Sequence, residues 1–232
     1  MPEPFWLFTA VTTAGCRPDW RVYALLVLAL VCAVTTREYA RAWLADSLGD
    51  PSPGEEGRLR CSPRVQVSLA GLLLAVATAL AGGGVPVGWG KPLALDPSTW
   101  RVDRRMGTLL IALAGPVGNL LAAVALSAAV RWLWHEFQRG PSPALGFVLL
   151  ALFFQVWANL GLGLVHLTVP VTPLDGAKVA ASLLPPPLGD AYERIMEKLG
   201  PLLLIVLVVT GTLSECVRPV LFGLLRLLIG AG

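Results

Sequence analysis

The hydrophobic and polar positions of this chain fall into long blocks. Val22 to Thr36 runs fifteen residues without a charge, Val65 to Gly90 twenty-six, Met106 to Val130 twenty-five and Pro141 to Leu174 thirty-four. A last block begins at Leu199, is interrupted by Glu215 and Arg218, and resumes from Val220 to Leu228. Such runs are too long for strands, and about 20 apolar residues suffice for a helix to cross a bilayer. The pattern predicts an all-α, polytopic membrane helix bundle of about five to six spans, at approximately 22–44, 65–84, 106–130, 145–169 and 199–228. The whole of 1–232 reads as one integral membrane domain, multi-pass in the bilayer.

Composition agrees. Of 232 residues 55% are hydrophobic and only 14% charged, with mean hydropathy +0.69, where a soluble domain carries about 25% charged residues. The net charge of +3 is small and scattered, which argues against a nucleic-acid partner and leaves the lipid bilayer as the evident one. The 18 Lys and Arg divide evenly between the two sides of five spans, so charge bias gives no orientation. The aromatic lead with Phe5, Trp6, Phe8 and Trp20 suits a headgroup layer, and its lack of a basic start speaks against a cleavable signal. Cys16, Cys32, Cys61 and Cys216 form no C-x-x-C pair and read as buried or interfacial thiols.

Charge enters a span at one place, Thr35-Thr36-Arg37-Glu38-Tyr39-Ala40-Arg41-Ala42-Trp43. On a helix Arg37 and Arg41 share a face with Glu38 beside them. This is the spacing of the zinc-protease helix H-E-x-x-H, where two imidazoles one turn apart hold the metal and the Glu handles the proton of the attacking water. Here the Glu is kept and both histidines are arginines. Two readings stand: a span that ends with its arginines snorkelling to the interface, or a buried polar site.

Further motifs concentrate Gly and Pro. Gly88-Trp89-Gly90-Lys91-Pro92 reads as an irregular interfacial turn. In Ala114-Gly115-Pro116-Val117-Gly118-Asn119, Pro116 loosens the helix, the glycines allow close helix approach and Asn119 can hydrogen-bond across helices. Pro170-Val171-Thr172-Pro173-Leu174-Asp175-Gly176 breaks a helix, which a membrane protein tolerates where the segment is buried in protein or lines a polar cavity. His166 reads as a histidine hydrogen-bonded within the bundle, and His135 as interfacial.

Together these motifs resemble the site-2 protease (M50) family of intramembrane zinc metalloproteases, over nearly the whole chain. The resembling words are G-W-x-K-P, A-G-P-x-x-N and P-x-P-x-L-D-G, with Gly49-Asp50-Pro51 and Gly57-Arg58-Leu59 in the connecting segment. The likeness fails at ionisable positions: Gln66-Val67-Ser68 stands where relatives have His-Ile-Asp, and Leu167 where they have Asn. The resemblance implies that Arg37, Arg41 and Asp175 occupy the three zinc-ligand positions and Glu38 that of the general base. It also places Gly88, Trp89, Lys91, Pro92, Gly115, Pro116, Asn119, Pro170, Pro173 and Gly176 in the substrate groove or its scaffold, and suggests a bacterial inner (plasma) membrane.

A guanidinium has no lone pair to give a metal and stays protonated. The expectation is therefore a degenerate member, a pseudoprotease with no cofactor where active relatives hold Zn, and with Glu38 idle. Two arginines with Glu38 and Asp175 sum to zero charge, as Zn²⁺ with two carboxylates does, so an arginine pairing with Asp175 could replace the metal as a cross-link between spans. Such a protein would bind transmembrane or membrane-proximal polypeptide, or regulate other membrane proteins. The alternatives are an active metalloprotease with an unorthodox site such as His166 with Asp175, and a small transporter whose buried charges mark a solute path.

Overall fold

The computed structural model describes residues 20–81 and 84–230. The aromatic lead before Trp20, and Gly82 and Gly83 of the glycine break, lie outside the described residues. Nine helices follow in order: α1 (Trp20–Ser47), α2 (Ser52–Glu55), α3 (Pro63–Gln66), α4 (Leu69–Leu80), α5 (Arg104–Arg139), α6 (Pro143–Thr168), α7 (Asp175–Leu183), α8 (Pro186–Val209) and α9 (Thr212–Ile229), with a 3₁₀ turn at Pro97–Thr99. Among the described residues β pairing is limited to one antiparallel bridge, Val67 with Gly90. The all-α membrane bundle is the architecture observed.

The number of crossing helices differs from the sequence expectation. α1, α5 and α6 are long and apolar enough to cross a membrane; α8 and α9 qualify only as a pair, bent by 70° at their junction. Among the described residues this gives three helices able to cross, or four with the bent pair counted as one span, fewer than the five to six expected. The stretch 65–84 accounts for part of the difference. Its helix α4 has 12 residues, about 18 Å at 1.5 Å per residue, well short of a ~30 Å hydrocarbon core. Ser68 caps its start, accepting from Gly71 N. Near its end Thr78 Oγ1 accepts from Val87 N at 2.9 Å, so the following backbone is tied back onto the helix. Apolarity alone does not reveal that return.

The boundaries of the long helices follow local chemistry. Asp103 caps α5, accepting from Arg105 N and Met106 N. Ser142 caps α6 with Pro143 in its first turn, where a missing N–H costs nothing. α6 stops two residues before Pro170, since proline cannot continue the ladder. The charged stretch after Pro185 and the apolar stretch from Leu199 join in a single helix, α8, with Pro201 inside it.

α6 is the central helix: 72% of its most apolar stretch is buried, against 44% and 33% for α1 and α5. Its Phe154, Trp157 and Leu160 meet Leu26, Leu30 and Val34 of α1 and Leu221 of α9 in one core. Small residues set the closest approaches, as membrane packing favours. A Cβ on Gly118 of α5 would lie 2.8 Å from Ala40 Cβ of α1, and one on Gly163 of α6 would lie 3.2 Å from Pro116 O of α5.

Candidate functional site: a buried arginine–carboxylate centre

α1 does not end at its charges. It continues ten residues past Arg37 to Ser47, so Arg37, Glu38 and Arg41 are held inside the bundle, at 2%, 2% and 8% exposure. Of the two readings left open for these residues, the structure shows the buried one. Opposite them the broken segment after α6 delivers Asp175, the first residue of α7, 2% exposed.

Arg37 donates to Asp175 Oδ2 through Nε at 3.0 Å and Nη2 at 2.5 Å, and through Nη1 to Glu38 Oε1. Arg41 Nη1 donates to Glu38 Oε2 at 3.0 Å, and its Nε lies 3.6 Å from Asp175 Oδ1. The two guanidinium groups and two carboxylates therefore form a closed, electroneutral quartet joining α1 to α7. Burying each charge alone would cost several kcal/mol, and only mutual pairing with good hydrogen bonds offsets this.

His166 completes the centre in a neutral form. Its Nε2 is 2.7 Å from Gly88 O, and a carbonyl only accepts, so Nε2 carries the proton. Its Nδ1 accepts from the Asp175 backbone N–H at 3.3 Å. Both ring nitrogens are thus occupied, and its 3.4 Å approach to Asp175 Oδ2 is a contact of a neutral ring.

The turn at 88–92 closes over the quartet. A Cβ on Gly90 would lie 2.3 Å from Glu38 Cγ, so only glycine lets the backbone rest on this carboxylate. Trp89 backbone packs against Gly71 and Gly88 against Gly71 and Ala75, while Lys91 N donates to Gln66 O at 2.8 Å. Lys91 Nζ turns away to Arg64 O at 2.7 Å, and Pro92 O accepts from Arg58 Nη2. On the other side, Gly115 makes room for the arginine stems: its Cβ would lie 2.9 Å from Arg37 Cγ and 3.0 Å from Arg41 Cδ. Pro116, buried in α5, borders Gly163. Gly176 packs on Val169 O, Pro170 O accepts from Tyr192 Oη, and Pro173 follows a cis bond in the loop entering α7.

Asn119 departs from the sequence reading. It is fully buried, yet among the described residues neither its Oδ1 nor its Nδ2 has a hydrogen-bond partner. No bond crosses to α6, because the facing position is Gly163, which has no side chain to offer.

Two residues of the connecting-segment motifs, to which the sequence assigned no site role, hold the scaffold. Arg58, 4% exposed, donates to Val65 O at 2.5 Å, Gln66 Oε1 at 3.2 Å and Lys91 O at 3.1 Å, which locks the 56–66 connection to the 88–92 turn. Asp50 is fully buried. Burial pushes its carboxyl up, but hydrogen bonds from Trp100 Nε1 at 3.0 Å, Ser52 N at 3.0 Å and Asp96 N at 2.8 Å outweigh this and hold it below its ordinary range. The available signal was the charge itself: Asp50 and Arg58 are ionisable residues beside glycines in a short connection.

The donor set does not suit zinc. Arg37 and Arg41 have no lone pair to give, Asp175 is committed to a guanidinium, and the Nδ1 lone pair of His166 is taken by the Asp175 backbone N–H. Among the described residues no group of three His, Cys, Asp or Glu side chains could hold a metal ion.

Compared with known proteins, the chain is similar to "Putative zinc metalloprotease YwhC" of Bacillus subtilis (strain 168), 29% identical over 197 residues that cover 84% of this chain and 85% of that protein. The likeness to a protein so named, over most of both chains, fits the site-2-protease resemblance of the motifs. No family model matches the chain, and no solved structure matches it.

Proposed function

We propose that this protein is a pseudoprotease: a site-2-protease-like membrane protein that has exchanged catalytic zinc for an arginine cross-link and binds membrane polypeptide without cutting it. The observation that carries the reading is the double hydrogen bond from Arg37 to Asp175. It uses two of the three expected ligand positions for an ion pair, with Arg41 and Glu38 closing the charge balance. Without a metal to acidify water, Glu38 has no nucleophile to generate; clamped between two guanidinium groups, it serves as an acceptor. The similarity to a protein named as a zinc metalloprotease supports the ancestry of the frame and leaves its chemistry to these residues.

What remains for function is the surface of the 88–92 turn, where Trp89 is half-buried and Lys91 and Pro92 are exposed beside the buried quartet. Membrane polypeptide is the occupant this reading assigns to that surface. The decisive experiment compares metal content of the purified full chain with that of an Arg37→His/Arg41→His variant. The reading expects no bound zinc in the first. In the second, two imidazoles at the spacing of the zinc-protease helix join a released Asp175, and zinc should bind one to one. Stoichiometric zinc in the unaltered chain, lost in Asp175→Ala, would overturn the proposal in favour of an active protease with other ligands. Photo-crosslinking from Trp89 in membranes then tests the binding function; absence of any polypeptide adduct counts against it.

A further inference from the structure

A second polar region lies away from the quartet, where the start of α5, the end of α7 and the start of α8 line an open cavity of about 570 Å³. Seven of its twelve lining residues are ionisable. Arg105 is committed, donating through Nε to Ser182 O at 2.7 Å, and Asp103 caps α5. The remaining five are Arg104 and Arg194, Asp190, Glu193 and Glu197. Among the described residues none of these five makes a side-chain hydrogen bond or an ion pair within 4 Å. Charges of both signs thus share one cavity without pairing directly.

The surroundings are apolar. Leu183, Leu188, Ile195 and Leu199, on or beside the same helix ends, are exposed. α5, which opens this cavity at its first turn, is one of the helices able to cross the membrane, so the cavity belongs at the boundary between headgroups and hydrocarbon. A ligand for it carries an anion and a cation close together on a polar end and apolar chains on the other.

The geometry points to a binding site for a phospholipid with a phosphate and a primary ammonium in its headgroup, the phosphate on Arg104 and Arg194 and the ammonium on Asp190, Glu193 and Glu197. Arginine suits phosphate through its fork of donors. The ammonium is primary, because quaternary ammonium groups are recognised by aromatic cages and none of the twelve lining residues is aromatic. An anionic headgroup without an amine would leave the three carboxylates unanswered.

The test is native mass spectrometry of the full chain in detergent, incubated with equimolar phosphatidylethanolamine, phosphatidylcholine and phosphatidylglycerol. The expected result is a one-to-one adduct favouring phosphatidylethanolamine by about tenfold, equivalent to ~1.4 kcal/mol. Arg104→Glu/Arg194→Glu should lose the adduct. Glu193→Gln/Glu197→Gln should bring phosphatidylcholine level with phosphatidylethanolamine. All four positions are exposed, so unchanged helical circular dichroism is expected and serves as the folding control. Equal binding of the three lipids by the unaltered chain, or a preference for phosphatidylglycerol, overturns the assignment. Full displacement by water-soluble phosphoethanolamine would overturn the lipid source and leave a soluble headgroup as the ligand. Persistence of the adduct in both variants would place the lipid elsewhere.

Discussion

Arg37 is the residue on which the centre turns, because it bonds both carboxylates while Arg41 reaches Asp175 only at 3.6 Å. Asp175→Ala leaves two guanidinium groups sharing Glu38 alone. Breaking a buried pair in this way costs about 3–5 kcal/mol, and equilibrium unfolding in mixed micelles should read a loss of that order. Arg41→Ala should cost less, since Arg37 keeps both of its partners. The pair Arg37→Met with Asp175→Leu should recover much of the loss of Asp175→Ala, as hydrophobic replacement of a buried ion pair is often neutral or better. A double variant as unstable as the sum of its parts would mean that the pair does not act as a unit.

At the scale of elements, two connections carry the site, and each has its own sensitivity. The 88–92 turn rests on Glu38 through Gly90, where a Cβ would overlap Glu38 Cγ at 2.3 Å. Gly90→Ala should therefore destabilise by about 1–3 kcal/mol through overpacking and increase proteolytic nicking of the turn. Gly57→Ala is a control for glycine removal without a clash, since nothing lies within 4 Å there, although its φ of +67° still favours glycine. The other connection is pinned by Asp50, whose folded value is held below the unfolded one near 3.9. Its contribution is complete above the unfolded value and is lost as pH falls through the folded one. Asp50→Asn should thus lower stability at neutral pH, by about 1.5–3 kcal/mol for hydrogen bonds to a charged group, and the gap from the unaltered chain should narrow in acid. A gap that stays constant across the acid limb would place the effect in packing.

At the scale of the whole molecule, the bundle leaves three described cysteines in different surroundings. Cys32 is half-buried in α1, whereas Cys61 and Cys216 are exposed. Cys61 lies in the polar connection between Arg60 and Ser62, and Cys216 of α9 lines a recess with Leu213, Val217 and Val220. In a Cys16→Ser background, membrane-impermeant maleimide applied to sealed vesicles should reach Cys61 from one side only and leave Cys216 unlabelled until detergent is added. Labelling of Cys61 from both sides would contradict a single insertion topology. The same experiment supplies the orientation that an even division of Lys and Arg withholds.

The sequence by itself determined the medium and much of the inventory. Long charge-free runs admit only helices in a bilayer, because no other open structure satisfies its backbone there. Residue type alone excluded Arg37 and Arg41 as metal ligands, since guanidinium offers no lone pair. Helical spacing put Arg37, Glu38 and Arg41 on neighbouring positions, and Pro170 and Pro173 marked the break before Asp175. What only the tertiary structure decided was every relation across the chain: that Arg37 reaches a carboxylate 138 positions away, that His166 is held neutral by Gly88 and Asp175, and that Asn119 faces a glycine. It also decided that the second apolar block forms a helix of only 12 residues, Leu69–Leu80, and that the last one bends by 70° between Pro186–Val209 and Thr212–Ile229. Hydropathy measures how much a segment prefers lipid or protein to water and does not distinguish the two. Only packing partners, distributed over distant parts of the chain, make that distinction.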